Sequence, residues 1–576
     1  MTSYAYAAEL LRDGFADYHA RFRAITQRAQ RRFETRDWNG VQGDAVERIE
    51  LYDTCIGEMA AKLEARIGAA LSERATWAEL RDTYNDAIAN LLDQELYKTW
   101  FNTLSRRFFK IRGVDAEVEF LALDIEPTDR ITHPVARHSY AVWGNLARVV
   151  QKVLDDYAFA APYAHAGLCA ARIAEALSRR LSEWGADPVR SLEMMHTVFY
   201  RERRAYLVGR AFGVDHLAPV VIVLTHEPGG IRADALLTDR EHVAQVFSYT
   251  RSYFHADLAT VGDAVVFLRT LLPHKPIDEL YTVLGRAKQG KTERFRHFMR
   301  HMAADPDEPF VHADGERGMV MAVFTLPTYP LVFKLIRDRF AYPKEVVRDE
   351  VMAKYRLVFH HDRVGRLIDA QEFRFLRFPR QRFTEKVLRE VLDECSQSAY
   401  LDGNDVVIAH CYVERRLRPL NLYLREVEDG DAQRAVIDYG QSIKDLARSN
   451  IFPGDMLLKN FGVTRHRRAI FYDYDELCFV TECNFRALPE GDDYDSAARD
   501  DMFYVGPHDV FPEQFPAFLG LRTELREALM AHHADLFDVR WWLSLQAELR
   551  EGKVGDVPPY PQRVRLTPQA LGLLPA

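Results

Sequence analysis

The sequence predicts an α+β chain: a mainly helical domain over residues 1–308, then over residues 309–576 a two-lobed domain of short strands and helices around one cleft. Three observations predict it. Apolar residues in the first half recur at helical spacing. The run Asp305–Pro309, DPDEP, breaks that pattern, and short β-like segments begin at Phe310. Later, Asp455, Asn460 and Asp473 flank two short apolar runs separated by a polar turn.

Size and composition bound these readings. With 576 residues, 48% hydrophobic and 28% charged, the chain can bury more than one core and exceeds one ordinary domain. A formal net charge of -9 gives no general drive toward nucleic acid or anionic membranes, so neither is expected as a partner. No run approaches the roughly 20 apolar residues of a spanning helix. The six cysteines form no C-x-x-C pair, which argues against a disulfide framework or a zinc site and fits a reducing cytoplasm.

In the first half, Leu11, Phe15, Tyr18, Phe22 and Ile25 share one helix face, as do Ile173, Leu177, Leu181 and Trp184. Both stripes are read as core. Ala205–Phe212 and Val220–Thr225 switch to β-branched runs followed by Pro228, Gly229 and Gly230, which predicts a small sheet inserted among the helices. The arginines at 21, 23, 28, 31, 32 and 36 are read as a solvated helix face. Gly285–Thr292, GRAKQGKT, matches the phosphate-cradling pattern G-x-x-x-x-G-K-[ST], with Leu280–Leu284 as a candidate strand before it. The alternating βαβ units of a P-loop fold do not follow, so Lys291 is read as a basic helix start.

The second half carries the chemistry. Ala313, Asp314, Gly315, Glu316, Arg317, Gly318 and Met319 can turn between two strands and bring backbone amides close to phosphates. Sixteen residues past Gly318, Lys334 sits inside an apolar strand, and a lysine is rarely buried without a partner. In a protein kinase that lysine grips the α- and β-phosphates and is held by a helix glutamate. Pro343 can open such a helix, with Glu345 or Glu350 as the partner. Val406–Val413 reads as an apolar strand running into Glu414, Arg415 and Arg416, where a hinge between lobes would bind adenine.

Downstream, an Asp at the tip of a loop can accept the proton of an attacking hydroxyl. An Asn five residues on can hold Mg²⁺, and a hairpin can return a second Asp to the same ion. Asp455, Asn460 and Asp473 have that spacing, with Asp475 as a further metal ligand. Two departures are plain: Ile451–Gly454 replaces the usual His-Arg pair, and Asp-Tyr-Asp replaces Asp-Phe-Gly.

The strings ADGERGMVM, VFKLIRDRF, HDRVGRLIDAQEF, ERRLRPLNLYL, NIFPGDMLLKNFGVTRH and FYDYDELC resemble the bacterial isocitrate dehydrogenase kinase/phosphatases over essentially the whole chain. The resemblance implies a helical regulatory domain over 1–308 and a bilobal protein-kinase-like domain with lobes at about 309–413 and 414–576. It implies a cytoplasmic enzyme that phosphorylates a serine of isocitrate dehydrogenase and also removes that phosphate, switching carbon between the citric acid cycle and the glyoxylate bypass. It implies ATP and ADP held by residues 313–319 and Lys334, and catalysis by Asp455. Mg²⁺ would sit on Asn460, Asp473 and Asp475, and AMP would bind between the domains to favour dephosphorylation. It ties Asp369, otherwise one exposed-looking acid, to the phosphatase reaction, and Val505–Gly520 to grasping the dehydrogenase. The sequence does not fix oligomeric state, and a homodimer stays open. Two other readings stay open on the residues alone: a small-molecule phosphotransferase, and a catalytically silent scaffold, suggested by the glycine missing after Asp473.

Overall fold

The helical stripes of the first half are built as continuous helices with one buried face. The structure is a computed structural model that describes residues 3–121 (backbone only for 3), 134–183, 188–214, 216–248, 253–342, 347–361 (backbone only for 359–361), 364–488, 505–506, 508–553 and 555–566. The chain divides into two units, Met1–Pro306 with Pro558–Ala576, and Asp307–Val557.

In the first unit, helix Ser3–Thr35 buries Leu11, Phe15, Tyr18, Phe22 and Ile25. The chain reverses at Arg36, which adopts a left-handed φ of 55°, and Asp37 caps helix Trp38–Ile67 by accepting from the Gly40 amide at 2.9 Å. Ile173, Leu177 and Leu181 are buried on helix Ala166–Glu183, and Trp184 lies outside the described residues. Four of the six arginines in the row pair with carboxylates: Arg21 bonds Glu58 at 2.9 Å, Arg23 bonds Asp257 at 2.6 Å, Arg28 bonds Glu47 at 2.5 Å and Arg32 bonds Asp44 at 2.9 Å, while Arg28, Arg31 and Arg36 are exposed.

The inserted sheet is larger than expected. Strands β1 (Arg137–Ala141), β2 (Ser191–Met195), β3 (Phe199–Arg201), β4 (Arg204–Phe212), β5 (Leu217–Glu227) and β6 (Gly230–Leu237) form one antiparallel sheet in the order β1-β2-β4-β5-β6, with β3 beside β4. The two β-branched runs supply its centre. The remaining strands, such as SLEMM and RHSYA, have little β propensity of their own and are recruited by the packing. Gly230, with φ of 111°, closes the β5–β6 hairpin where an added Cβ would fall 2.6 Å from the Pro162 carbonyl.

GRAKQGKT is not a phosphate loop. Leu280–Val283 belongs to helix Ile277–Val283 rather than to a strand, and Lys291 and Thr292 lie inside helix Ala287–Ala304. Gly290 is where these helices meet: a Cβ there would lie 2.2 Å from Thr282 Oγ1 and 2.6 Å from the Asp278 carbonyl. The residues from Pro558, placed by sequence with the catalytic domain, group with the first unit. The Arg204 Nε donates to the buried Tyr560 hydroxyl at 2.8 Å, and the Leu566 amide donates to the Asp234 carbonyl at 2.7 Å.

The second unit begins with a five-stranded antiparallel sheet. Its strands are β7 (Val311–His312), β8 (Met321–Thr325), β9 (Leu331–Ile336), β10 (Gln371–Phe373) and β14 (Cys411–Arg415), in the order β10-β14-β9-β8-β7. A second sheet, β11 (Leu376–Pro379), β13 (Asp405–Ile408) and β12 (Ala399–Asp402), lies nearby, and Phe310, Phe324, Phe333, Phe378 and Phe383 pack together. The single strand expected over Val406–Val413 is therefore two, in different sheets. The break falls where the amides of Ala409 and His410 both donate to the Ser398 carbonyl, at 2.7 and 3.3 Å.

Beyond β14 the unit is mainly helical: Leu420–Glu426, Asp429–Arg448, Thr523–His533 and Val539–Arg550 surround buried Tyr439, Leu446, Phe461 and Trp542. Small ladders thread it: β15 (Arg418–Pro419), β17 (Phe461–Val463) and β18 (Ala469–Phe471); β16 (Ile451–Phe452) with β19 (Cys478–Phe479); and β20 (Asn484–Phe485) with β21 (Asp509–Val510). No helix among the described residues is long and apolar enough to cross a membrane.

Candidate active site

A cavity of about 980 Å³ in the second unit is lined by residues 313–319, Lys334, Glu414–Pro419, Asp455, Lys459, Asn460, Asp473 and Asp475. The seven loop residues, Lys334, Asp455, Asn460, Asp473 and Asp475, all singled out by sequence, are among them; Asp369 is not.

Residues 313–319 connect β7 to β8, with Gly315 at φ of 126°. The loop is anchored through its own charges. Asp314 pairs with Arg418 at 2.7 Å, Glu316 with Lys459 at 3.1 Å and Arg317 with Glu390 at 3.0 Å. Beneath it, buried Arg337 donates to the Gly318 carbonyl at 3.1 Å and pairs with Glu390 and Glu394, each at 2.5 Å. Sequence reasoning missed this anchor. Its signal was an arginine ending an apolar strand and two glutamates four apart on helix Glu385–Glu394.

Lys334 is buried on β9, and its partner corrects the expectation. Glu345 lies outside the described residues, as does Pro343. Glu350 is exposed, and its carboxylate accepts from the Val347 amide at 3.2 Å, capping helix Arg348–His361. The lysine pairs instead with Glu414 at 2.7 Å and donates to the Tyr472 carbonyl at 2.8 Å. Strand register explains this: Lys334 stands opposite Tyr412 and Val332 opposite Glu414, so Glu414 is the diagonal same-face neighbour of the lysine. Burial raises the pKa of Glu414, the Lys334 ammonium pulls it back, and Asp369 pushes it up again.

The loop after β16 carries Asp455, whose Oδ1 accepts from the Leu457 amide at 2.9 Å, while buried Tyr439 holds the Met456 carbonyl at 2.5 Å. Asn460 is buried and donates to the Asp455 carbonyl at 3.3 Å. The β17–β18 hairpin is present with Phe461 opposite Phe471, and the Thr464 amide closes its polar turn on the Arg468 carbonyl at 3.0 Å. The Tyr472 amide then donates to the Asn460 carbonyl at 3.1 Å, which returns Asp473 to the side of Asn460.

Asp369 is half-buried rather than exposed. The Ile368 amide donates to the Phe471 carbonyl at 3.2 Å, and the Tyr474 hydroxyl to the Ile368 carbonyl at 2.6 Å. These bonds tie Asp369 to the strand that leads into Asp473 and set it beside Glu414. The buried Arg366 guanidinium fixes the segment between Asp438 at 2.6 Å and Asp445 at 2.8 Å.

The oxygen donors suit Mg²⁺. Asn460, Asp473 and Asp475 offer an amide and two carboxylates, the sparse set by which that ion is held with its waters and with substrate phosphates. Among the described residues no group of three His, Cys, Asp or Glu forms a ready-made cage. Asp455 also lines a second cavity, about 480 Å³ and mostly apolar, formed by Phe452, Met456, Leu457, Val510, Phe511, Phe515, Phe518 and Leu519. The segment Val505–Gly520 supplies β21, a short helix at Phe515–Phe518 and one wall of this cavity.

A five-stranded lobe bearing a glycine loop and a strand lysine, followed by a helical lobe with an Asp–Asn–hairpin–Asp run, is the arrangement of a protein-kinase fold. The second unit is a kinase domain. The chain belongs to the isocitrate dehydrogenase kinase/phosphatase family: residues 8–306 match the regulatory domain and residues 308–562 the kinase domain of isocitrate dehydrogenase kinase/phosphatase (AceK). Proteins of that name from Xanthomonas euvesicatoria pv. vesicatoria (strain 85-10) and Anaeromyxobacter sp. (strain Fw109-5) are 60% and 44% identical to it. The first alignment covers 97% of each chain and the second 98%.

Proposed function

We propose that this chain is a bifunctional enzyme that phosphorylates isocitrate dehydrogenase on a serine with Mg-ATP and also removes that phosphate, with AMP favouring removal. In the cytoplasm this would direct carbon between the citric acid cycle and the glyoxylate bypass. The observation that carries the reading is the opening of Lys334, Asp455, Asn460, Asp473 and Asp475 onto one cavity beneath a glycine loop. Names of near-full-length relatives support the substrate.

In the forward reaction Asp455 orients the serine hydroxyl and accepts its proton, while Lys334, aligned by Glu414, grips the nucleotide phosphates. Asn460, Asp473 and Asp475 would hold Mg²⁺, which when bound neutralises charge on the transferred group. The acceptor is a protein side chain rather than a free metabolite, because Asp455 also borders an apolar cavity that can seat residues flanking the serine. Asp369 serves dephosphorylation, reaching the cleft through Glu414 and Lys334.

The test mixes the purified chain, isocitrate dehydrogenase, Mg²⁺ and γ-labelled ATP, then adds AMP with unlabelled ADP. Label is expected to enter the dehydrogenase and then leave it. Label entering a metabolite but not the dehydrogenase, or no Mg²⁺-dependent ATP turnover at all, would overturn the reading.

A further inference from the structure

The stretch FYDYDELCFVTEC sets Cys478 and Cys483 five residues apart, directly after Asp473 and Asp475. Cys478 opens β19, the chain turns through Val480–Glu482, and Cys483 comes back so that the two sulfurs lie 3.7 Å apart, both as free thiols. A disulfide needs about 2.0 Å, so closure asks for an approach of under ~2 Å, within reach of side-chain rotation and a small shift of the turn. Cys478 is partly exposed and Cys483 is buried, which makes the first the entry point and the second the resolving thiol. The hydrogen bond between them lowers the Cys478 pKa, favouring its thiolate, and raises that of Cys483.

The turn joining these thiols is bonded to the segment that carries Asp455. The Val480 amide donates to the Asn450 carbonyl at 3.1 Å, the Thr481 amide donates to Asn450 Oδ1 at 3.1 Å, and Phe452 is the register partner of Cys478. At Gly454 the loop lies so close to Glu476 that an added Cβ would sit 2.5 Å from its carbonyl oxygen. A covalent constraint on the turn therefore acts on the backbone that positions Asp455.

We propose that Cys478 and Cys483 are a site of reversible disulfide formation by thiol exchange with small disulfides such as glutathione disulfide, and that closing it slows phosphoryl transfer. The Cys478 thiolate attacks one glutathione sulfur, forming a mixed disulfide and releasing glutathione thiolate. Cys483 then attacks the Cys478 sulfur, and its proton and the bonding electron pair leave with the second glutathione. Two protein thiols are oxidised and one glutathione disulfide is reduced to two thiols.

The experiment treats the full chain with glutathione disulfide, blocks remaining thiols with N-ethylmaleimide and maps peptides by mass spectrometry. A 478–483 disulfide, erased by dithiothreitol, is the expected product. In Cys483→Ser the reaction should stop as a glutathione adduct on Cys478. Both thiols found alkylated, or a stable adduct in the unsubstituted chain, would overturn the proposal. Transfer of labelled phosphate to isocitrate dehydrogenase should fall at least several-fold on oxidation, recover with dithiothreitol, and not fall when Cys478→Ser/Cys483→Ser is treated in the same way. A disulfide that forms without changing the rate would overturn the link to Asp455. The mapping reads the thiols alone, so it stands whether or not the dehydrogenase is the phosphate acceptor.

Discussion

Removing the carboxylate from Glu414 isolates the energetics of the buried Lys334–Glu414 ion pair. The side chains of Lys334 and Glu414 are 8% and 1% exposed and 2.7 Å apart. In Glu414→Gln the ammonium keeps the Tyr472 carbonyl at 2.8 Å but loses its counter-charge. Its escape is to deprotonate, which costs about 1.4 kcal/mol for each of the roughly three pH units between 7.4 and an ordinary lysine pKa, a ceiling of about 4 kcal/mol. The retained hydrogen bond reduces this, so a loss of about 2–4 kcal/mol is expected. Lys334→Met strands Glu414 instead, with a similar ceiling because the carboxylate can take up a proton.

The two variants differ in the sign of their pH dependence. In Glu414→Gln the folded lysine pKa is depressed, so the penalty fades as pH rises toward the unfolded lysine value. In Lys334→Met the folded glutamate pKa is raised, so the penalty fades as pH falls toward the unfolded glutamate value. Urea unfolding of both variants and of Lys334→Met/Glu414→Leu from pH 5.5 to 9 measures this. The double variant should be more stable than the sum of the single losses implies. Losses under about 0.5 kcal/mol, or slopes of the same sign, would refute the pairing.

Asp369→Asn should lose dephosphorylation while retaining measurable kinase activity, and equal loss of both rates would reject a separable role. Gly290→Ala should lower stability by about 1–3 kcal/mol through the clash with Thr282 and Asp278 while leaving ATP affinity unchanged; lost affinity at unchanged stability would restore GRAKQGKT as a phosphate loop. Burial, with help from Arg286 and Arg23, lowers the pKa of His19 to about 4, so its contribution is intact above pH 6.5 and fades as pH falls toward 4. His19→Gln should therefore lose less melting temperature between pH 7.5 and 5 than the unsubstituted chain; parallel losses would show that His19 does not carry the effect.

Much of the candidate site was legible because its parts are local. Asp455, Asn460 and Asp473 are joined by one hairpin whose strands and turn follow from short-range pattern, and Lys334 stood out as a charge inside an apolar strand. The Glu414 partnership was not legible, since it depends on register between β9 and β14, which nearly eighty intervening residues leave open. The same holds for Arg337 beneath the glycine loop. The single strand read across Val406–Val413 failed because hydrophobicity is continuous there, while the break is made by the carbonyl of Ser398, a tertiary contact. GRAKQGKT misled in the opposite way: its glycine serves a helix contact, and a pattern of letters does not record which atoms lie opposite.

The most direct measurement is single-turnover transfer of labelled phosphate from ATP to isocitrate dehydrogenase by the unsubstituted chain and by Asp455→Asn, with Mg-ATP affinity determined on the same samples. A fall in rate of about 10²-fold or more with affinity kept is the expected result. An unchanged rate, or a rate lost only in proportion to ATP binding, would contradict a site in which Asp455 receives the serine proton.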